Sequence, residues 1–223
     1  MQQIALDIGL AHTPKLDNFF PGPNSAALLH LQQWLQARAP SPVSYFWGPE
    51  GSGKSHLLRA AYAALCAQGR AVGHLDAHSA GACEYDERWA AVVMDDVHLY
   101  SPALQHTAFS WFVQAHTLQR PVLAAGLLPP SALTLREDLR TRLGWGQVLA
   151  LELLTEAQTR DVLRQAAKAR GLDLSEEVMD FTLRRFSRDL GHLMQLLETM
   201  DRYALQTQRA LTIPLVKSML ENV

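Results

Sequence analysis

With 223 residues, 48% of them apolar and 19% charged, the chain has the composition of a folded protein long enough for one large core or two small ones. Its net charge of −2 gives no overall attraction to nucleic acid. No basic leader followed by an apolar stretch opens it, no apolar run approaches the ~20 residues of a membrane helix, and its cysteines, Cys66 and Cys83, lack metal-type spacing. A cytoplasmic protein with free thiols is expected.

The first eight residues alternate apolar and polar, with Ile4, Leu6 and Ile8 on one side of an extended segment. Such a segment either seeks an apolar groove on a partner or adds an edge strand to its own sheet. An aromatic turn follows at Asn18-Phe19-Phe20-Pro21-Gly22. Phe20 and Pro21 are candidates for the wall of an adenine pocket, and equally for the core. Asn24 or Ser25 is placed to cap a helix running to about Arg38, with Leu28, Leu31 and Leu35 as its apolar stripe.

Val43–Trp47 reads as a short strand, and Gly48-Pro49-Glu50-Gly51-Ser52-Gly53-Lys54-Ser55 follows it directly. The pattern G-x-x-x-x-G-K-S is a phosphate-binding loop. Its glycines let successive N–H groups turn toward a phosphate, Lys54 can reach the outer phosphates, and the Ser55 hydroxyl can ligate Mg²⁺. From His56 the pattern turns helical, which puts a helix N-terminus behind the phosphates. Residues Gly48 to His56 are the nucleotide-binding candidates.

A second strand is expected at 71–76, then a polar loop over 77–88. Ala90–Met94 is a continuous apolar run that ends in Asp95-Asp96. A parallel strand buried on both faces reads this way, and acids at its C-terminal end face the ligand edge of an open sheet. Asp95 is the Mg²⁺-shell candidate and Asp96 the residue placed to orient water. Ser101-Pro102 starts a helix to about His116. Strands follow at 121–126 and 147–151, with a short helix at 136–143 carrying Arg140 and Arg142. From Thr155, a capping-box residue, the period is helical throughout, with a stop at Gly171 and a new cap at Ser175. The expected fold is α/β: a five-stranded parallel P-loop sheet sandwiched by helices, followed by a small all-α lid. The expected divisions are a peptide at 1–17, the nucleotide-binding domain at 18–154 and the lid at 155–223. The nucleotide is expected in the cleft between the two domains.

This combination resembles an AAA+ ATPase module. Gly48–Ser55 continuing into His56-Leu57 resembles the P-loop of the DnaA family, Asp95-Asp96 its two-acid motif, and Arg142-Leu143-Gly144-Trp145-Gly146 its Arg-Phe-x-Trp-Gly segment. The resemblance spans residues 18–223. The loop at 77–88 is too short for the DNA-gripping helices of the initiators, and no helix-turn-helix domain follows. The chain is therefore more similar to the DnaA-related regulators that inactivate the initiator. Gln3-Ile4-Ala5-Leu6-Asp7-Ile8 resembles their sliding-clamp-binding peptide, Gln-Leu-Ser-Leu-Pro-Leu. In that reading Gln3 anchors by hydrogen bonds, and Ile4, Leu6 and Ile8 face the groove.

The resemblance implies an ADP- or ATP-binding protein with Mg²⁺. It is tethered to the DNA polymerase sliding clamp and presents Arg142 as an arginine finger to ATP on DnaA, which prevents re-initiation. Arg140 is the rival for the finger. Arg188 matches the family's lid arginine, which acts on the protein's own nucleotide. Leu127 stands where the family has a polar sensor, and Asp96 where many AAA+ enzymes have Glu; both imply weak ATPase activity of its own. Self-association through the finger surface is a further implication. The competing expectation is an autonomous helicase-loader type of ATPase acting on single-stranded DNA.

Overall fold

The computed structural model describes residues 14–36, 42–79, 84–186 and 190–221. The chain divides into two compact units, Thr13–Leu153 and a helical unit beginning at Leu154. In the first unit, β1 (Val43–Trp47), β2 (Val72–Leu75), β3 (Ala91–Met94), β4 (Val122–Gly126) and β5 (Gln147–Ala150) form one parallel sheet in the order β2-β3-β4-β1-β5. The helices between them are α1 (Ser25–Leu35), α2 (Lys54–Ala67), α3 (Pro102–Thr117) and α4 (Glu137–Leu143).

The continuous apolar runs divide by strand periodicity between two cores. Val43, Tyr45, Val92, Met94, Val122 and Ala124 face one side, where they pack with Leu104, Ala108, Trp111 and Phe112 of α3 and Leu139 and Leu143 of α4. Phe46, Ala91, Val93, Leu123 and Ala125 face the other, against Leu31 and Trp34 of α1 and Leu57, Leu58, Ala61 and Leu65 of α2. The inner strands β3 and β4 are buried at every position, while the edge strands β2 and β5 are partly exposed. This is why only the inner ones read as unbroken apolar runs. Parallel pairing aligns the C-terminal ends, so that Trp47 pairs with Gly126 and Met94 with Ala124. The P-loop, Asp95 and Leu127 therefore emerge at one sheet edge.

The second unit contains α5 (Glu156–Ala169), α6 (Glu176–Arg185), α7 (Leu190–Thr207) and α8 (Ile213–Glu221). Thr155 and Gln158 complete the capping box, Gly171 follows α5 at φ 71°, and Ser175 accepts the Val178 N–H as the N-cap of α6. The core is built from Leu163, Val178, Met179, Leu193, Leu197, Met200 and Val216. Thr159, Leu163, Ala166 and Ala167 form the buried face of α5. Among the described residues no helix is long and apolar enough to cross a membrane.

The start of α1 departs from the expected cap. Asn24 makes no capping bond, and Ser25 is already helical. The Asn24 amide instead donates Nδ2–H to the Glu152 carbonyl at 2.9 Å and accepts the Glu152 N–H on Oδ1 at 2.8 Å. Two well-formed bonds to the backbone of one distant residue outcompete a single local one. The helix ends at Leu35, and its buried residues are Ala27, His30, Leu31 and Trp34, with Leu28 and Leu35 packed at the flank. Within this core His30 Nε2 lies 2.7 Å from Ser44 Oγ, and burial lowers the pKa of the ring.

Asn24 is 4% exposed and ties the entry of α1 to the exit of β5. Asn24→Ala is expected to destabilise the protein by about 1–3 kcal/mol. Asn24→Asp should not rescue it, because the carboxylate lacks the N–H donor. Urea unfolding checks both, and an unchanged Asn24→Ala midpoint would disprove the tie.

Candidate functional site

The site is built on the strand-to-helix turn after β1. Gly48 passes under the exit of β5, and a Cβ there would lie 2.1 Å from the Leu151 carbonyl oxygen. Leu151 is fixed in turn by donating its N–H to the Trp47 carbonyl at 2.7 Å. Gly53 is the N-cap of α2 in the left-handed region at φ 95°, and a Cβ there would lie 2.7 Å from the Phe19 ring. Neither position accepts a side chain, for two different reasons: close backbone approach at Gly48, and chirality combined with packing at Gly53.

Lys54 opens α2 and is 6% exposed. Its ammonium donates to the carbonyls of Gly48 and Pro49, both at 2.8 Å, and lies 3.5 Å from Ser52 Oγ. The loop thus holds its cation against its own backbone. Burial lowers the Lys54 pKa, and the negative charges of Asp96, Asp95 and Glu50 oppose that shift.

Ser55 lies close enough to Asp95 to stabilise its carboxylate, so the two residues expected to serve Mg²⁺ meet although they are far apart in sequence. Burial pushes the Asp95 carboxyl up; the Ser55 hydroxyl pulls it down, the Asp96 charge pushes it up again, and the Asp96 N–H and Arg59 pull down. One Asp95 oxygen accepts that N–H at 3.0 Å. Among the described residues no group of three or more His, Cys, Asp and Glu is arranged to hold a metal. One hydroxyl and one buried carboxylate suit Mg²⁺, which keeps several waters and takes its other ligands from phosphate.

Asp96 is half-buried in the left-handed region at φ 50°, ψ 42°, a conformation that Asp tolerates better than most residues. Leu127 follows Gly126, the residue paired with Trp47. Tyr45, on β1, donates its hydroxyl to the Leu128 carbonyl at 2.8 Å and holds this turn in place. Gly126 is required there, since a Cβ would lie 2.3 Å from the Tyr45 hydroxyl.

Of the aromatic turn, Phe19 rather than Phe20 or Pro21 has a described contact with the loop. Its ring packs on Gly53 and lies 5.6 Å from that of His56. His56 Nε2 lies 3.0 Å from the Lys15 carbonyl. Burial lowers the His56 pKa; the Lys15 carbonyl opposes this and Arg59 adds to it. Sequence reading passed over Phe19 because nothing in its spacing marks the approach to Gly53. Gln3, Ile4, Leu6, Ile8 and Arg188 lie outside the described residues.

Arg142 lies in the last turn of α4. Its guanidinium carbon is 4.7 Å from the centre of the Phe109 ring and 4.9 Å from that of Trp145, and Nη1 donates to the Asp138 carbonyl at 3.0 Å. Arg136 lies 5.2 Å from the Phe109 ring centre and pairs with Asp138 at 2.7 Å. Phe109, on α3, gave no sign in the sequence, because its role depends on α3 packing beside α4. The Arg140 side chain makes no hydrogen bond or ion pair among the described residues.

The sheet order, P-loop, paired acids and helical second unit make an AAA+ type of P-loop fold. Residues 156–220 match the family model described as "Hda, lid domain". Domain III of the Thermotoga maritima replication initiation protein DnaA superposes with a TM-score of 0.79 at 18% identity, covering 99% of this chain and 98% of that one. AMPPCP-bound DnaA from Aquifex aeolicus gives 0.67 at 22% identity, over 85% of this chain and 66% of that one. The Thermotoga maritima RuvB Holliday junction branch migration motor gives 0.65 at 16%, over 94% and 72%. The helical unit is thus similar to the Hda lid domain, and the chain as a whole has the fold of DnaA domain III.

If the loop binds nucleotide through Lys54, Lys54→Ala should weaken ADP binding at least tenfold, ~1.4 kcal/mol. Asp95→Asn should remove most of the affinity difference between Mg²⁺ and EDTA. Titration with a fluorescent nucleotide reads both. Equal affinity of wild type and Lys54→Ala would place the nucleotide elsewhere.

Proposed function

We propose that this protein is a nucleotide-dependent regulator of replication initiation, which binds ADP or ATP and promotes hydrolysis of the ATP held by DnaA. The match of residues 156–220 to the Hda lid domain carries this reading. The likeness of the fold to DnaA domain III supports a partner of related build.

In this reading the N–H groups of the loop at Gly48–Ser55 and the Lys54 ammonium bind the protein's own phosphates. Ser55 and Asp95 hold Mg²⁺, which supplies neutralising charge to phosphate oxygens when bound. Asp96 orients water weakly, and Leu127 offers the phosphate edge no polar group, so its own turnover is slow. Arg142 acts on the nucleotide of a neighbouring DnaA, where a finger supplied in trans is worth roughly 10³–10⁵ in rate. Gln3, Ile4, Leu6 and Ile8 dock on the sliding clamp, and contact with DNA is indirect, through that clamp. Arg188 closes on the protein's own nucleotide. A second copy of the chain meets the same finger surface when DnaA is absent.

The test mixes the protein with ATP-loaded DnaA, sliding clamp and DNA and follows ADP formation. Wild type should accelerate hydrolysis, Arg142→Ala should abolish the acceleration, and Leu6→Ala should remove its dependence on the clamp. No acceleration by wild type overturns the reading. Loss with Arg140→Ala but not Arg142→Ala reassigns the finger. Turnover of several per second by the protein alone would favour an autonomous ATPase.

A further inference from the structure

We propose that Trp145 is a positioning residue for Arg142: its indole face, opposite Phe109, holds the guanidinium flat at the surface and ready for the partner's nucleotide. The inference rests on the reading of Arg142 as the finger.

Trp145 is 50% exposed, an unusual state for the largest apolar side chain. Its backbone N–H donates to the Arg142 carbonyl at 3.1 Å, so a tight turn returns the indole three residues after the arginine. Phe112 and His116 meet the ring at 6.3 and 5.6 Å, tilted by 86° and 64°. Both belong to α3, the helix that also carries Phe109. One helix therefore supplies the far face of the sandwich and braces the near one.

Cation–π contact with two rings orients a guanidinium without consuming its charge, and the bond to the Asp138 carbonyl occupies only one of its five N–H groups. The other donors remain for an anion. An arginine on a free stem must lose its rotamer freedom when it engages a phosphate; one already stacked loses less. Such pre-ordering acts on the rate at saturation rather than on the affinity between the proteins. Arg140, in the same helix but without a side-chain partner among the described residues, has no such support.

The test uses full-length Trp145→Leu and Trp145→Phe variants, which both keep apolar bulk against Phe112. Leu lacks a π face and Phe retains one. With ATP-loaded DnaA, clamp and DNA, Trp145→Leu is expected to lower the saturating rate of ADP formation about tenfold with the half-saturating concentration unchanged. Trp145→Phe should recover most of that rate. In the protein alone, the emission assigned to Trp145 by difference from Trp145→Phe should become more open to acrylamide in Arg142→Ala. A wild-type rate for Trp145→Leu overturns the positioning role while the function stands. An unchanged rate with a raised half-saturating concentration makes Trp145 a contact with the partner and also overturns it. No stimulation by wild type removes the functional reading, and the positioning role with it.

Discussion

The buried ammonium of Lys54 is the constraint around which the α/β unit is arranged. A lysine taken out of water loses hydration worth several kcal/mol unless other groups replace it. Here the Gly48 and Pro49 carbonyls do so directly, and Asp95, Asp96 and Glu50 do so at longer range. Those carbonyls point inward only because the loop turns tightly at Gly48 and Gly53, under Leu151 on one side and Phe19 on the other. Asp95 is close enough only because the register ends β3 at Met94 beside Ala124, two residues before the level where Gly126 of β4 pairs with Trp47 of β1. The sheet register and the loop conformation are thus two parts of one electrostatic arrangement.

Much of this was legible in the sequence. The P-loop, the inner strands and the helix starts at Ser101, Thr155 and Ser175 all rest on short-range chemistry: a glycine spacing, an apolar run, or an oxygen three residues before an amide. What was hidden depends on partners distant in sequence. Asn24 reads as a cap because capping is the local use of asparagine, and only the folded chain places Glu152 beside it. Phe19 and Phe109 look like ordinary core aromatics until their helices and turns have neighbours. The meeting of Ser55 with Asp95 lies between these cases, since each is motif-marked but their contact requires the strand order.

The two arginines of α4 show how two nearly identical sequence signals separate in three dimensions. Two helical positions are about 200° apart around the axis, so adjacent members of an Arg-x-Arg pair leave the helix in different directions. Arg142 leaves toward α3 and finds two aromatic faces. Arg140 has no side-chain partner of its own among the described residues. Stacking restrains a side chain whose charge is still available, whereas an ion pair would have neutralised it. Arg136 illustrates the second outcome, with its guanidinium engaged by Asp138 in two parallel bonds.

A site that binds and a site that cleaves need different things from the same loop. Binding needs the turned backbone, the ammonium and the helix N-terminus, and these are assembled between Gly48 and Ser55. Cleavage also needs groups that interact more strongly with the transition state than with the bound nucleotide. Two positions near the phosphate edge could supply them. One, Leu127, is apolar and held in place by the Tyr45–Leu128 bond, so it offers developing charge nothing. The other, Asp96, has a short side chain on a left-handed backbone that fixes its direction. Groups that hold ground state and transition state alike raise affinity without raising rate. In the function we propose, the loop would serve as a receptor whose occupancy is the signal, and Arg142, held between Phe109 and Trp145, would supply the rate-raising charge to a nucleotide on another protein.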